Sequence, residues 1–288
     1  MLRHEFRAMG TEVELLLDAE PGLGSELALS AAEAEFARLE RLLSRFLPDS
    51  ELSALNRRGS LRAGPELLEL TELALAARER TRGRFDPTVH DALVAAGYDR
   101  SFDRLDPDGA IATAPAAVRC RGGVAVDRAS GRIELQPGFR LDLGGIAKGY
   151  AVDRALALLA EAGPGLVNAG GDLAGTGRPW AVGVSTGDGR LTLELEEAAI
   201  ATSGRDRRRW LQAGVERHHL IDPDTGAPAE TDLLRVSVVA ATASEAEVLA
   251  KALFLAGSAA AEREVAALGL VAVLVTLDDR TIVTGALA

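Results

Sequence analysis

The sequence predicts an α+β fold, in which mixed or antiparallel sheets carry packed helices. Helical and hairpin-like segments follow one another with few regular strand–helix alternations, which argues against a doubly wound parallel sheet. No internal repeat occurs in the 288 residues. No low-complexity linker marks an interior boundary either. We therefore predict a single domain over residues 1–288.

Hydrophobic spacing and helix-end signals predict the elements of the N-terminal half. Residues 4–18 suit a strand. The residues Val13, Leu15 and Leu17 alternate there with Glu12, Glu14 and Leu16. Apolar residues near helical spacing predict a helix at 25–46, and Asp49 or Ser50 can cap the next one. The other elements predicted in this half are helices at 51–57, at 65–77 and up to residue 96, a turn at 83–87, and strands at 123–127 and 132–135 within a hairpin-rich lobe at 101–140.

The C-terminal half combines strong helical segments with several short strands. A helix at about 145–162 follows a glycine pair, and the strand at 165–169 ends in a Gly-Gly turn. The segment 179–202 predicts two or three strands. The other elements predicted in this half are strands at 216–221 and 233–241, helices at 245–256 and up to residue 267, and a terminal hairpin at 270–287.

Composition and charge exclude several function classes. The chain has 32 Lys and Arg against 43 Asp and Glu, a net charge of −11, which argues against nonspecific nucleic-acid binding and against a polybasic membrane patch. One cysteine allows neither an internal disulfide nor a multi-cysteine metal site. The N-terminus lacks a signal-peptide pattern, and no apolar run reaches the roughly 18 residues of a membrane span. We expect a cytoplasmic protein without stable membrane insertion.

The segment from Asp142 to Tyr150 is the first candidate for chemistry. A glycine pair that opens a helix exposes backbone N–H groups, and the helix dipole favours anions there. Lys148 could neutralise a phosphate, and Asp142 could accept hydrogen bonds from a base or a sugar. The alternative is a glycine-assisted tight turn beside a solvated lysine.

Two histidines and an Asn-x-Gly-Gly-Asp segment are further candidates. His218 and His219 are adjacent on a predicted strand and therefore point to opposite faces. Histidine titrates near neutral pH and suits a general base, although a core or surface role is the alternative. The segment 168–172 suits either a tight turn or a close approach of backbone to a ligand. Phe46 and Phe85 lie in loop-to-helix segments, where a core role competes with ligand contact.

The order of these motifs carries more information than any one of them. They are Met9-Gly10-Thr11, Pro-Asp-Ser-Glu-Leu at 48–52 with Asn56, Gly-x-Phe-Asp-x-Thr at 83–88, Asp-Leu-Gly-Gly-Ile-Ala-Lys-Gly-Tyr at 142–150 with Asp153, Asn-x-Gly-Gly-Asp at 168–172, Thr-Ser-Gly at 202–204, His-His-x-Ile-Asp-Pro-x-Thr-Gly at 218–226, and then Ala246-Glu247 and Phe254. In this order the chain resembles the ApbE family, the FAD:protein FMN transferases.

This resemblance implies a fold related to the T-fold and a reaction on FAD. Family members cleave the FAD pyrophosphate with a divalent ion and transfer FMN to a Ser or Thr hydroxyl of an acceptor flavoprotein. His219 matches the histidine that would deprotonate that hydroxyl. The residues that the resemblance assigns to FAD binding are Met9, Phe46, Arg84, Phe85, Asp86, Asp142, Lys148, Leu220 and Ile221. Among these, Asp142 and Lys148 would hold the adenosine and phosphate portion.

The chain departs from the family at the implied metal site, where Mg²⁺ is the expected ion. The resemblance assigns the ion to Glu247 and to a backbone carbonyl near Gly145, and Lys251 stands where relatives usually carry a threonine. A spacing of four places Glu247 and Lys251 on one helix face, where Lys251 could pair with Glu247 and take the place of the metal. Three functions stay open: FMN transfer, noncatalytic FAD binding with Lys251 in place of the metal, and FAD hydrolysis to FMN and AMP.

Overall fold

The computed structural model describes residues 1–105, 118–212 and 214–285. Its α-helices are α1 (Leu23–Leu43), α2 (Glu51–Arg58), α3 (Pro65–Arg80), α4 (His90–Ala95), α5 (Ala147–Ala160), α6 (Ala243–Ala256) and α7 (Ser258–Leu268). Its strands are β1 (Leu2–Ala8), β2 (Thr11–Leu17), β3 (Ser60–Arg62), β4 (Val124–Asp127), β5 (Arg132–Leu135), β6 (Gly165–Ala169), β7 (Asp172–Thr176), β8 (Trp180–Ser185), β9 (Arg190–Leu195), β10 (Ala198–Gly204), β11 (Arg209–Gln212), β12 (Val215–His218), β13 (Ile221–Asp222), β14 (Ala227–Pro228), β15 (Leu233–Ala240), β16 (Val271–Thr276) and β17 (Thr281–Thr284).

The chain separates into two compact units, and the prediction of a single domain stays a prediction. The first unit comprises residues 1–40, 146–203 and 231–288. Its eight-stranded sheet has the order β1-β2-β6-β7-β10-β15-β16-β17. The pairs β1–β2, β2–β6, β6–β7, β7–β10, β15–β16 and β16–β17 are antiparallel. Helices and antiparallel strands in this arrangement confirm the α+β class.

The first two strands form a hairpin rather than the single strand predicted at 4–18. Met9 and Gly10 connect them with φ values of 52° and 70°. Two consecutive residues with positive φ are typical of a type I′ turn, whose twist matches that of a hairpin. The prediction of one strand was wrong because Met9 is not a usual turn residue and side chains alternate in character on both sides of it. The expected alternation in β2 is confirmed, since Val13, Leu15 and Leu17 are buried.

Helices α5 and α6 of the first unit approach each other closely at Gly149. A Cβ atom at this position would lie 2.5 Å from the carbonyl oxygen of Ala243, which is too close for any side chain. Asp153, one turn further along α5, accepts hydrogen bonds from the amides of Ala243 and Ser244 at 2.7 and 3.0 Å. These two amides belong to the first turn of α6, so Asp153 satisfies donors that have no intrahelical acceptor.

The second unit comprises residues 41–145 and 204–230. Its sheets are β3-β5-β4, β11-β12 and β13-β14. Ser50 caps α2 by accepting from the amide of Ser53 at 3.0 Å, which decides between the two predicted caps. The apolar core includes Tyr98 and Trp210, and the indole of Trp210 donates to the carbonyl of Ala96 at 2.7 Å.

Several predicted boundaries change in the structure. The strand predicted at 216–221 is divided, because β12 ends at His218 and β13 begins at Ile221. The hairpin of β4 and β5 confirms part of the lobe predicted at 101–140, whereas residues 106–117 of that lobe lie outside the described residues. Residues 286 and 287 of the predicted terminal hairpin lie outside them as well. None of the described helices combines the length and the apolar character needed to cross a membrane.

Candidate active site

Four charged side chains meet near the start of α5 in the first unit. They are Lys148 of α5, Asp172 of β7, and Glu247 and Lys251 of α6, and we call them the charged cluster. The Nζ atom of Lys148 donates to Oε1 of Glu247 at 3.0 Å and also contacts Asp172. Lys251 donates to the same Oε1 atom at 3.1 Å. Two ammonium groups thus face two carboxylates, and the formal charges balance.

The lysines are the more accessible members of the charged cluster. Their side chains are 16% and 17% exposed, whereas those of Asp172 and Glu247 are 3% and 1% exposed. Burial by itself raises the pKa of a carboxyl group, and at Asp172 it dominates and raises the pKa. At Glu247 the two ammonium groups and the amide of Gly149 outweigh burial and hold the pKa well below its usual range. Glu247 is therefore the firmly ionised carboxylate of the cluster.

The backbone of α5 adds a third donor to Glu247. The N–H of Gly149, one of the first amides of the helix, donates to Oε2 at 2.9 Å. A negative charge at this end of a helix is favoured by the helix dipole. Lys251 lies one turn beyond Glu247 on α6, as their spacing of four residues predicts. Both oxygens of Glu247 are consequently used within the chain.

This donor set does not fit a divalent cation. Mg²⁺ demands near-octahedral oxygen ligands, but the Glu247 oxygens accept from two ammonium groups and an amide. Across residues 1–105, 118–212 and 214–285, no group of three or more His, Cys, Asp or Glu side chains could hold a metal ion. The metal roles of Gly145 and Glu247 stay predictions from the sequence.

In the second unit, Arg45 connects two predicted FAD-binding residues. Its guanidinium carbon lies 4.1 Å from the ring centre of Phe46 and 4.8 Å from that of Tyr98. The same group forms an ion pair with Asp142, and only 5% of the Arg45 side chain is exposed. Asp142 also accepts from the amide of Gly144 at 2.8 Å. The structure thus brings Phe46 and Asp142 together through a residue that the sequence did not single out.

The loop at 83–88 is held by the carboxylate of Asp86. This buried group accepts from the amide and the hydroxyl of Thr88, both at 2.9 Å, and from the amide of Arg121 at 2.6 Å. Phe85 is buried and Arg84 is half-buried. The Asp86 side chain therefore organises the loop, and contact with FAD stays a prediction for all three residues.

The two adjacent histidines have different surroundings in the second unit. His218 is buried, lies 3.0 Å from the carbonyl oxygen of Ala229 through Nε2, and accepts from the amide of Leu220 through Nδ1. Burial lowers the pKa of His218 to about 4, so this imidazole is neutral at pH 7. His219 is half-buried. The structural role belongs to His218, which leaves His219 as the predicted base.

The remaining predicted contacts are apolar. Leu220 and Ile221 are buried, and Ile221 belongs to the core cluster against which Phe46 packs. Met9 lies in the β1–β2 turn of the first unit and is half-buried. Their predicted contacts with FAD stay predictions.

Asp172 was not among the residues predicted for the site, because the segment 168–172 suits either a tight turn or a close approach of backbone to a ligand. One signal could have found the charged cluster. The whole chain contains two lysines against 30 arginines, and both lysines lie in this cluster. Lysine presents a compact point charge, whereas arginine presents a wide planar fork, so the choice of lysine at these two positions is chemically specific.

Comparison with known proteins identifies the family. The family model described as the ApbE family matches residues 9–275. The chain belongs to the ApbE family. A relative from Treponema pallidum, named FAD:protein FMN transferase, is 33% identical over 252 residues, which cover 76% of this chain and 68% of the relative. A second relative, of the same name and from Klebsiella pneumoniae, is 29% identical. The match covers 92% of this chain and 81% of the relative.

Solved structures of family members share the fold. An ApbE protein from Thermotoga maritima superposes with a TM-score of 0.85 at 27% identity. The match covers 98% of the present chain and 96% of the Thermotoga maritima chain. A flavin transferase ApbE from Vibrio cholerae superposes with a TM-score of 0.80 at 21% identity. This match covers 98% of the present chain and 96% of the Vibrio cholerae chain. The predicted family and its α+β fold are thereby confirmed.

Proposed function

We propose that this protein is an FAD:protein FMN transferase that joins FMN to a Ser or Thr hydroxyl of an acceptor protein. The supporting observation is a pair of partly exposed ammonium groups, Lys148 and Lys251, held by buried carboxylates in an ApbE-family chain. Phosphoryl transfer depends mainly on positioning and on electrostatic stabilisation of phosphate oxygens. Ammonium groups fixed in place supply both.

The reaction breaks a phosphoanhydride bond of FAD and forms a phosphoester bond to the acceptor. The acceptor oxygen forms a bond to the phosphorus of the FMN half of FAD, while the bond from that phosphorus to the bridging oxygen breaks. The bridging oxygen leaves with AMP and keeps the electron pair. The hydroxyl proton passes to His219, because a hydroxyl is a weak nucleophile until a neighbouring base removes its proton.

The test uses purified protein, FAD and a degenerate peptide library with a central Ser or Thr. We expect flavin fluorescence to become covalently attached to peptides, with one AMP released for each peptide labelled. His219→Ala should abolish labelling while FAD still binds. His4→Ala is the matched control, because His4 is a half-buried histidine on β1 that pairs with Glu33.

Two other outcomes identify the alternative functions. Release of AMP and free FMN without peptide labelling would indicate an FAD pyrophosphatase, in which water replaces the hydroxyl. Binding of FAD without any AMP release would indicate a noncatalytic FAD-binding protein, which the balanced charges of the charged cluster also permit. Unchanged labelling by His219→Ala would remove His219 from its role as base. Location in the cytoplasm stays a prediction from the sequence.

A further inference from the structure

The charged cluster already has the parts of a phosphate-binding site. Its two ammonium groups are partly exposed, and the two carboxylates that hold them are almost fully buried. Phosphate oxygens from solvent can therefore reach the two ammonium groups more readily than they can reach the two carboxylates. Hydrogen bonds between an ammonium group and an anionic oxygen are about twice as strong as neutral ones.

A divalent ion at Glu247 would oppose this arrangement. It would have to displace Lys148 and Lys251 from Oε1, where their Nζ atoms lie at 3.0 and 3.1 Å. It would then remain close to two positive charges, and the repulsion between like charges is large at short range in a partly buried site. Lysine occurs at these two positions and nowhere else in the chain, although 30 arginines are present.

We propose that Lys251, together with Lys148, is the phosphate-neutralising cation of this protein, so that FAD binding and FMN transfer need no divalent ion. The proposal rests on the proposed function, since it assigns the FAD pyrophosphate to the charged cluster. Neither lysine donates or accepts a proton during the transfer. They offset the negative charge that collects on the phosphate oxygens as the bond to the bridging oxygen breaks.

The first experiment exploits the scarcity of lysine. Protein treated with EDTA is exposed to limiting acetylating reagent, and mass spectrometry follows acetylation of Lys148, Lys251 and the α-amino group of Met1. We expect FAD to slow acetylation of both lysines at least about tenfold without metal, as tight occupancy requires. The Met1 amine, on a residue that is 62% exposed, is the internal control and should react at an unchanged rate. Binding of FAD in EDTA without protection of Lys251 would overturn the proposal.

The second experiment measures metal binding directly. Mn²⁺ is titrated into the wild-type protein with saturating FAD, and free Mn²⁺ is followed by electron paramagnetic resonance. We expect no stoichiometric tight site and the same FAD affinity with Mg²⁺ or with EDTA. One tightly bound Mn²⁺ per chain, together with FAD binding that EDTA abolishes, would refute the proposal and leave the transferase function intact.

Two variants test the charge of Lys251. Lys251→Met removes the ammonium group at similar length and should weaken FAD binding in EDTA at least about tenfold, as expected for loss of a charge-assisted hydrogen bond. Lys251→Arg keeps the charge and should retain most of the affinity. Equal FAD affinity of a folded Lys251→Met protein would contradict the proposal. If Lys251→Met does not fold, the protection and Mn²⁺ measurements on the wild type still decide.

The outcomes separate this proposal from the proposed function. Metal-independent FAD binding that protects Lys251, but without peptide labelling under any condition, would support the lysine site and refute the transferase. Peptide labelling that strictly requires Mg²⁺ would support the transferase function and refute the metal-free lysine site. A protein that does not bind FAD at all would overturn both.

Discussion

Replacing Glu247 by glutamine should destabilise the protein strongly. The variant keeps the size of the side chain but removes the negative charge that Lys148 and Lys251 share. One terminal atom also becomes an NH₂ group, which cannot accept from the amide of Gly149 or from an ammonium group. Breaking a buried ion pair from one side costs about 3–5 kcal/mol. Here the two ammonium groups, which are largely removed from water, would have only Asp172 left to offset them.

Chemical denaturation and thermal melting measure this loss. At about 2 °C for each kcal/mol in a chain of this size, we expect the melting temperature to fall by roughly 6–10 °C. Glu262→Gln is the matched control, because Glu262 is exposed on α7, and it should change stability by less than about 0.5 kcal/mol. A loss below about 1 kcal/mol for Glu247→Gln would refute the electrostatic account of the charged cluster.

Glu247 should also make the stability of the protein fall at acidic pH. The folded state lowers the pKa of Glu247 below its usual 4.5. The stabilisation is therefore present above pH 4.5 and is lost as the pH falls from there through the folded-state pKa. The wild type should lose stability more steeply than Glu247→Gln in this acidic range. Parallel slopes for the two proteins would show that Glu247 is not the group that titrates.

Two further predictions concern Gly149 and His218. Gly149→Ala should destabilise the protein by about 1–3 kcal/mol in urea unfolding, since the new Cβ would lie 2.5 Å from the Ala243 oxygen. For His218, the folded pKa of about 4 lies below the usual 6.5, so the unfolded state takes up the proton first and stability falls as the pH drops through this window. His218→Gln should remove about 1–2 kcal/mol of the difference in unfolding free energy between pH 7.5 and pH 5.

Each of these two predictions has a control within the chain. Gly24→Ala is the control for Gly149, because a Cβ at Gly24, near the start of α1, meets no atom within 4 Å. His4→Gln is the control for His218, because His4 is less buried. Stability equal to the wild type for Gly149→Ala would show that α5 and α6 can separate at little cost. An unchanged pH dependence for His218→Gln would show that its imidazole is not kept neutral by the fold.

Local patterns in the sequence predicted the structural features that depend on residues close together in the chain. The alternation around Leu15 predicted a buried strand face, and the spacing of Glu247 and Lys251 predicted their contact. The turn at Met9 escaped prediction because its conformation is set by the pairing of β1 with β2.

Contacts between distant segments could not be predicted in this way. Lys148 and Glu247 are 99 residues apart, and Asp172 joins them through the position of β7 in the sheet. Local spacing carries no information about such a meeting. Arg45 was missed for a similar reason, because its role depends on Tyr98 and Asp142, far along the chain.

The close approach of α5 and α6 has a consequence for engineering. The charged cluster depends on Gly149, a residue without a side chain, because a methyl group there would push the two helices apart. Copying the lysines and carboxylates onto another helix pair would therefore not reproduce the cluster unless the recipient backbones also come into contact. A search for the same chemistry in other proteins should accordingly look for two touching helices as well as for four charged residues.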